Sequence, residues 1–126
     1  MARTAVVPRA LVANSNLTGA TGATTIDATL VTNGVSVTGA IPEQTLIRVT
    51  NTEASTNTVT VQSGAVPPAL AAGLGDLVVT VAATSGIQYI GPFESGRFMQ
   101  ADGSLWVDFE TGMTGAIDVL TVPRNA

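Results

Sequence analysis

The sequence predicts an all-β fold: a small β-sandwich or β-barrel of about seven to nine short antiparallel strands, preceded by an extended N-terminal arm. Three observations carry that expectation. Thr, Val, Ala and Gly dominate the composition, and the β-branched Thr and Val are stiff at χ1 and suit a pleated, half-buried surface. Short runs alternate apolar and polar residues, and 13 Gly and 6 Pro punctuate them with turns. No window places apolar side chains at i, i+3, i+4 and i+7 between helix caps.

Residues 1–27 read as the arm and residues 28–126 as the body. In the arm, a short apolar stretch of Val6, Val7, Leu11 and Val12 is interrupted by Pro8. Residues 17–25 (LTGATGATT) hold no core pattern and have the composition of a flexible link. The body opens with ATLVTNGVSVT over 28–38. Its Asn33-Gly34 is a type I′ hairpin signal that would set Leu30 opposite Val37 and Thr32 opposite Val35. TLIRVT (45–50) alternates, with Ile47 and Val49 on one face and Leu46, Arg48 and Thr50 on the other. NTVTVQ (57–62) sets Val59 and Val61 inward, after a polar link, Asn51–Thr56, of hairpin length. Residues 64–76 hold two adjacent prolines and read as a loop with one helical turn near Leu70.

LVVTVA (77–82) puts Leu77, Val79 and Val81 on one side, and IQYI (87–90) is a short strand that stops at Gly91-Pro92. RFMQADGSLWVDF (97–109) carries Asp102-Gly103 between two alternating runs. A two-residue loop there pairs Phe98 with Val107, Met99 with Trp106, and Arg97 with Asp108 as a cross-strand ion pair. GAIDVLTV (115–122) closes the body before Pro123.

The chain has 126 residues, no Cys, no His, and five basic residues that are all Arg. No disulfide framework is possible, and no Cys/His zinc site. A Ser-His-Asp or Cys-His centre lacks its parts. Schiff-base chemistry, a phosphate-loop lysine and a Lys–Asn isopeptide bond lack their amine. The length suits one domain with one core. Five scattered Arg on a chain of net charge −4 predict no nucleic-acid partner. No stretch approaches the ~20 apolar residues of a membrane span. The apolar run between Arg3 and Arg9 is shorter than a signal peptide's core, so none is read. No cofactor is expected. Mean hydropathy is +0.40 with 11% charged residues, which implies apolar surface buried between chains.

Candidate chemistry is sparse, and the chain reads as a non-enzyme. Asp102 with Asp108, or Asp108 with Glu110, has the residue types of a glycosidase carboxylate pair, but Asp102 reads better as a turn residue and Asp108 as half of an ion pair. Asp27, Asp76 and Asp118 lack calcium-loop spacing. The glycine-rich runs 19–22 and 73–75 lack the context of a phosphate cradle. Trp106 and Tyr89 are open to three readings: a sugar platform, interface anchors, or core. A face shared with Met99 and an ion pair tilts Trp106 towards an interface rim. The segment Gly91–Phe98 is read both as a loop tucked onto the core by Phe93 and as an assembly contact.

The runs TLIRVTNTEASTNTVTVQSGAVPP, AGLGDLVVTV and IGPFESGRFMQADGSLWVDFETGMTGAIDVLTVP resemble small proteins encoded among the head genes of tailed phages. The chain is similar to capsid decoration (cement) proteins, especially those of phages infecting actinobacteria. The resemblance covers residues 42–123, is most specific from Gly91 to Phe98 with Gln100, Asp102 and Gly103, and leaves out the arm. It implies a β-rich body on the outer capsid surface of the virion, a homotrimer that clamps neighbouring copies of the major capsid protein. On that reading Val6, Val7, Leu11 and Val12 anchor the arm by strand addition or groove filling, and Arg3 and Arg9 reach carboxylates on the shell. Phe93, Glu94, Arg97, Met99 and Trp106 are the expected subunit contacts of the body. Removing residues 2–16 is then expected to weaken capsid binding and leave the body folded. The alternatives are a tail-tube or head-fibre subunit, a carbohydrate-binding module that uses Trp106 and Tyr89, and a bacterial surface or pilus subunit.

Overall fold

The alternation read from the sequence becomes two facing sheets. The computed structural model describes residues 3–12, 16, 24–39, 41–64 and 75–123. Its strands and α-helices are β1 (Thr4–Val6), β2 (Arg9–Ala10), β3 (Thr24–Ile26), α1 (Ala28–Asn33), β4 (Val35–Val37), β5 (Thr45–Asn51), β6 (Asn57–Val61), β7 (Leu77–Val81), β8 (Gly86–Ile90), α2 (Ser95–Phe98), β9 (Leu105–Phe109) and β10 (Gly115–Thr121), with one 3-10 turn at Pro42–Gln44. The first sheet has the order β1-β4-β9-β6-β7; the second has the order β2-β10-β5-β8, with β3 also on β10. The helical turn expected near Leu70, the polar run 17–23 and most of the second glycine-rich run lie outside the described residues.

The small all-β fold is the one the composition predicts. The body supplies β4 to β10, and every pairing among them is antiparallel. β5, β6 and β9 alternate strictly between buried and half-buried positions. Their inward residues Ile47, Val49, Val59, Val61, Leu105 and Val107 are fully buried, with Val35 and Val37 from β4, Val81 from β7 and Ile117 from β10. Each such side chain contributes about 1.5–3 kcal/mol by leaving water.

Three local expectations are corrected. Residues 28–33 form α1 rather than one arm of a hairpin. The Asp27 side chain accepts a hydrogen bond from the Leu30 N–H at 3.0 Å, an N-cap that satisfies an otherwise unpaired donor. Gly34 ends the helix at φ 77° and donates to the Leu30 carbonyl. Asn-Gly thus acts as a helix stop, and the helix is favoured because β4 already has β1 and β9 on its two sides.

The same reasoning overturns the first arm of the 97–109 hairpin. β9 is flanked by β4 and β6, so residues 97–101 have no free edge to pair with. The tight turn at Asp102-Gly103 survives, with the Gln100 N–H donating to the Ser104 carbonyl at 2.9 Å. Upstream the chain coils into α2, whose Phe98 stays in the core. The expected Phe98–Val107, Met99–Trp106 and Arg97–Asp108 pairs do not form. Finally, the link Asn51–Thr56 carries the chain from the second sheet to the first. The buried Asn51 amide donates to the carbonyls of Ser55 and Ala82 there.

The arm is the larger surprise. β1 pairs in parallel with β4, and β2 in parallel with β10, while β3 pairs antiparallel with β10. The chain crosses between sheets at Val7-Pro8, where a residue without an N–H suits a break in pairing. Val6 enters the common core. The division into an arm of 1–27 and a body of 28–126 is therefore one of sequence, since both parts share one core.

Candidate functional site

Two ion pairs stand on the outer faces of the sheets, one on each. On the first sheet, Arg3 leads into β1 and Asp108 lies on β9. The Arg3 Nη1 donates to Asp108 Oδ1 at 2.8 Å and to the Val107 carbonyl at 3.4 Å. Its guanidinium carbon sits 4.6 Å from the centroid of the Trp106 ring, a cation–π contact. The Gln62 amide donates to Asp108 Oδ2. A side chain at position 34 would collide with both Arg3 and Asp108, so Gly34 both stops α1 and makes room for the pair.

On the second sheet, Arg9 of β2 grips Asp118 of β10. Its Nε donates to Oδ1 at 3.0 Å, and its Nη2 donates to Oδ2. Asp118 is almost fully covered, and a two-pronged guanidinium is the group that suits a covered carboxylate.

These contacts reassign the expected arm residues. Arg3 and Arg9 reach carboxylates, but those of Asp108 and Asp118 in the same chain. Val6 is buried in the chain's own core. Val7 and Val12 remain on the surface at 72% and 68% exposure, and Leu11 is half-buried. Leu11 also donates its N–H to the Thr121 carbonyl.

The expected body contacts divide in the same way. Phe93 is buried, packed edge-on against Phe98 with ring centroids 5.4 Å apart, so it tucks the loop onto the core rather than facing a subunit. Arg97 lies over the Phe98 ring and donates from Nε to the Gly75 carbonyl at 3.1 Å. Glu94 is exposed; Met99 and Trp106 are half-buried.

The candidate carboxylates Asp102, Asp108 and Glu110 are each engaged by neighbouring hydrogen-bond donors. Asp102 is held below the usual carboxylate range by the Ser104 hydroxyl and then the Ser104 N–H, both donating to it, against a small opposing effect of burial. It fixes the turn. Glu110 accepts from the N–H and hydroxyl of Thr58. Among the described residues no group of three or more metal-ligating side chains converges. A shallow depression lined by Ile41, Pro92, Val122 and Pro123 has Glu43 and Gln44 as its polar lining among the described residues.

Trp106 and Tyr89 point away from each other on opposite faces, Trp106 outward from the first sheet and Tyr89 outward from the second. They cannot make one sugar platform. Tyr89, open to an interface reading from the sequence, has Arg48 as its cross-strand neighbour, and Arg48 is not among the expected contacts. Alternation in TLIRVT already set Arg48 outward; the missing information was that β5 pairs with β8 rather than with β6. Comparison of the chain with protein-family models, with curated proteins and with solved structures gives no match.

Proposed function

We propose that the protein is a structural component of a phage virion, which binds the outer surface of an icosahedral capsid as a homotrimer and stabilises the expanded shell by clamping neighbouring major capsid protein subunits. One structural observation carries the reading beside the sequence resemblance. The core is closed, yet large apolar side chains stand on the outside: Val7, Val12, Ile41, Val78, Ile87, Tyr89 and Val122. Several fall together, Ile87 and Tyr89 on β8, Ile41 and Val122 around one depression. Clustered exposed apolar surface is a feature of interaction sites. Asp102, Asp108 and Asp118 are engaged in a turn and in ion pairs, which favours contact over chemistry at these carboxylates.

The mechanism is mass action. A clip that binds the expanded lattice and not the unexpanded one shifts the equilibrium towards expansion by its differential affinity. Several contacts per trimer add avidity without any single strong one. The test is sedimentation of the purified protein with expanded, undecorated capsids of the candidate phage. Co-sedimentation that saturates at a fixed ratio to the capsid protein is expected. Rings or tubes formed by the protein alone, without capsid binding, would move the assignment to a tail tube.

A further inference from the structure

We infer that the outer face of the second sheet, centred on Arg48 and Tyr89, is the surface that docks on the shell, and that it receives a protein surface presenting a carboxylate ringed by apolar side chains. This rests on the capsid reading above and names the contact face within it.

The register defines the face. Across β10, β5 and β8, Asp118 lies opposite Arg48, and Arg48 opposite Tyr89. The neighbouring row is Ala116, Thr50 and Ile87, and on the other side Leu120 lies opposite Leu46. Alternation sends all of these outward, because Ile47, Val49, Ile117 and Val119 point into the core. Arg48 thus sits between Tyr89 on one side and the Arg9–Asp118 pair on the other, with Thr50, Ile87 and Leu46 as its remaining neighbours on the face.

Among the described residues its charge has no hydrogen-bonded or ion-paired partner. Arg3 and Arg9 are held by Asp108 and Asp118, and Arg97 by backbone carbonyls. Asp118, the acid nearest Arg48 along the row, is already gripped by Arg9 on both oxygens. Arg48 makes no hydrogen bond or ion pair among the described residues. Beside it Tyr89 is 63% exposed and Ile87 44% exposed.

An unpaired guanidinium flanked by an exposed aromatic ring has the composition of an interface hot spot. Covering Arg48 with a purely apolar partner would strand its charge, so the partner must bring a carboxylate. The apolar neighbours demand apolar contact around that carboxylate. Arg48 and Arg9 against Asp118 leave this row one positive charge in excess on a chain of net charge −4, which orients an acidic patch towards it.

The test is a binding titration of the full-length protein on expanded, undecorated capsids, read by sedimentation. Three variants are compared with the unaltered chain: Arg48→Glu, Tyr89→Ala, and Thr80→Glu on the outer face of the first sheet as a control for added charge. Arg48→Glu sets an acid opposite Asp118 and is checked by its thermal midpoint. Tyr89→Ala alters an exposed side chain and keeps the test valid if Arg48→Glu unfolds. Weakening by about 30-fold or more for Arg48→Glu and Tyr89→Ala is expected, the scale of a hot-spot residue, with Thr80→Glu unchanged. Capsid binding by all three variants at the unaltered affinity would overturn the face and leave the capsid reading standing. Absence of binding by the unaltered chain would overturn both. Dissociation of a free oligomer by Arg48→Glu or Tyr89→Ala would assign the face to a second copy and overturn the shell contact.

Discussion

The two flanks of the sandwich end their sheets differently. On one, the arm lies along the body: β1 completes the first sheet beside β4, and β2 and β3 complete the second beside β10. Arg3–Asp108 and Arg9–Asp118 fasten that cover, and Val6 seals it from inside. On the other flank the sheets stop at β7 and β8, and no described strand pairs with their outer edges. Edge strands are usually blunted by charge, proline or bulges. β7 (LVVTV) and β8 (GIQYI) contain neither charge nor proline, and they show Val78, Ile87 and Tyr89 to the outside. The difference teaches that charged pairs here serve the chain's own closure, while on the other flank the described surface is apolar around Arg48, which has no ion-pair partner among the described residues.

The largest expected effect breaks the covered flank outright. Removing residues 3–12 takes away the buried Val6, worth about 2 kcal/mol, and two ion pairs worth about 1 kcal/mol each. Urea unfolding should show a loss on the order of 4 kcal/mol. This replaces the expectation that the body is indifferent to the arm. An unchanged midpoint would mean that the arm is not docked.

The two arginine clasps come next and should differ from each other. Asp118 is 4% exposed, whereas Asp108 is 37% exposed. Asp118→Ala removes a covered, two-pronged ion pair with Arg9 and should cost about 2–3 kcal/mol. Asp108→Ala acts on a solvated pair and should cost about 1 kcal/mol or less. Loss of Arg3 by Arg3→Ala should also shift Trp106 emission to the red, as its ring loses the guanidinium cover. Equal costs for the two aspartates would contradict the burial difference.

The free flank should behave oppositely. Tyr89→Ser and Val78→Ser should change folding stability, read by urea unfolding, by no more than about 0.5 kcal/mol. A large loss of stability would show that these side chains pack within the monomer. The smallest effect is at Asp102. Its carboxyl, followed by NMR, should titrate below the ordinary aspartate value, and Ser104→Ala should raise it. Because the folded-state value is the lower one, the turn's contribution is present above the unfolded value and fades as pH falls through the folded one.

The inward faces of β5, β6, β7 and β9 were legible because alternation is a local property, and their valines are the core found. Pairing was not legible. Along the body the chain changes sheet at every step except β6 to β7, so nearness in sequence misleads. Asn33-Gly34 and Asp102-Gly103 both looked like hairpin turns, and both lie next to a strand whose two sides were already taken. The arm failed for a related reason. Three residues of Thr4–Val6 carry too little pattern to announce a strand, and the aspartates awaiting Arg3 and Arg9 are about a hundred positions away. For the site, Arg48 was seen as outward but without its neighbour Tyr89, because that contact exists only through the β5–β8 register.

The most direct measurement is amide hydrogen exchange of the full-length protein, free and bound to expanded capsids. Slower exchange confined to β8 and β5 on binding, with β4 and β10 already protected in the free protein, is the predicted result. Protection that appears instead across residues 3–12 and β4, leaving β8 unchanged, would contradict the assignment of one flank to closure and the other to the shell.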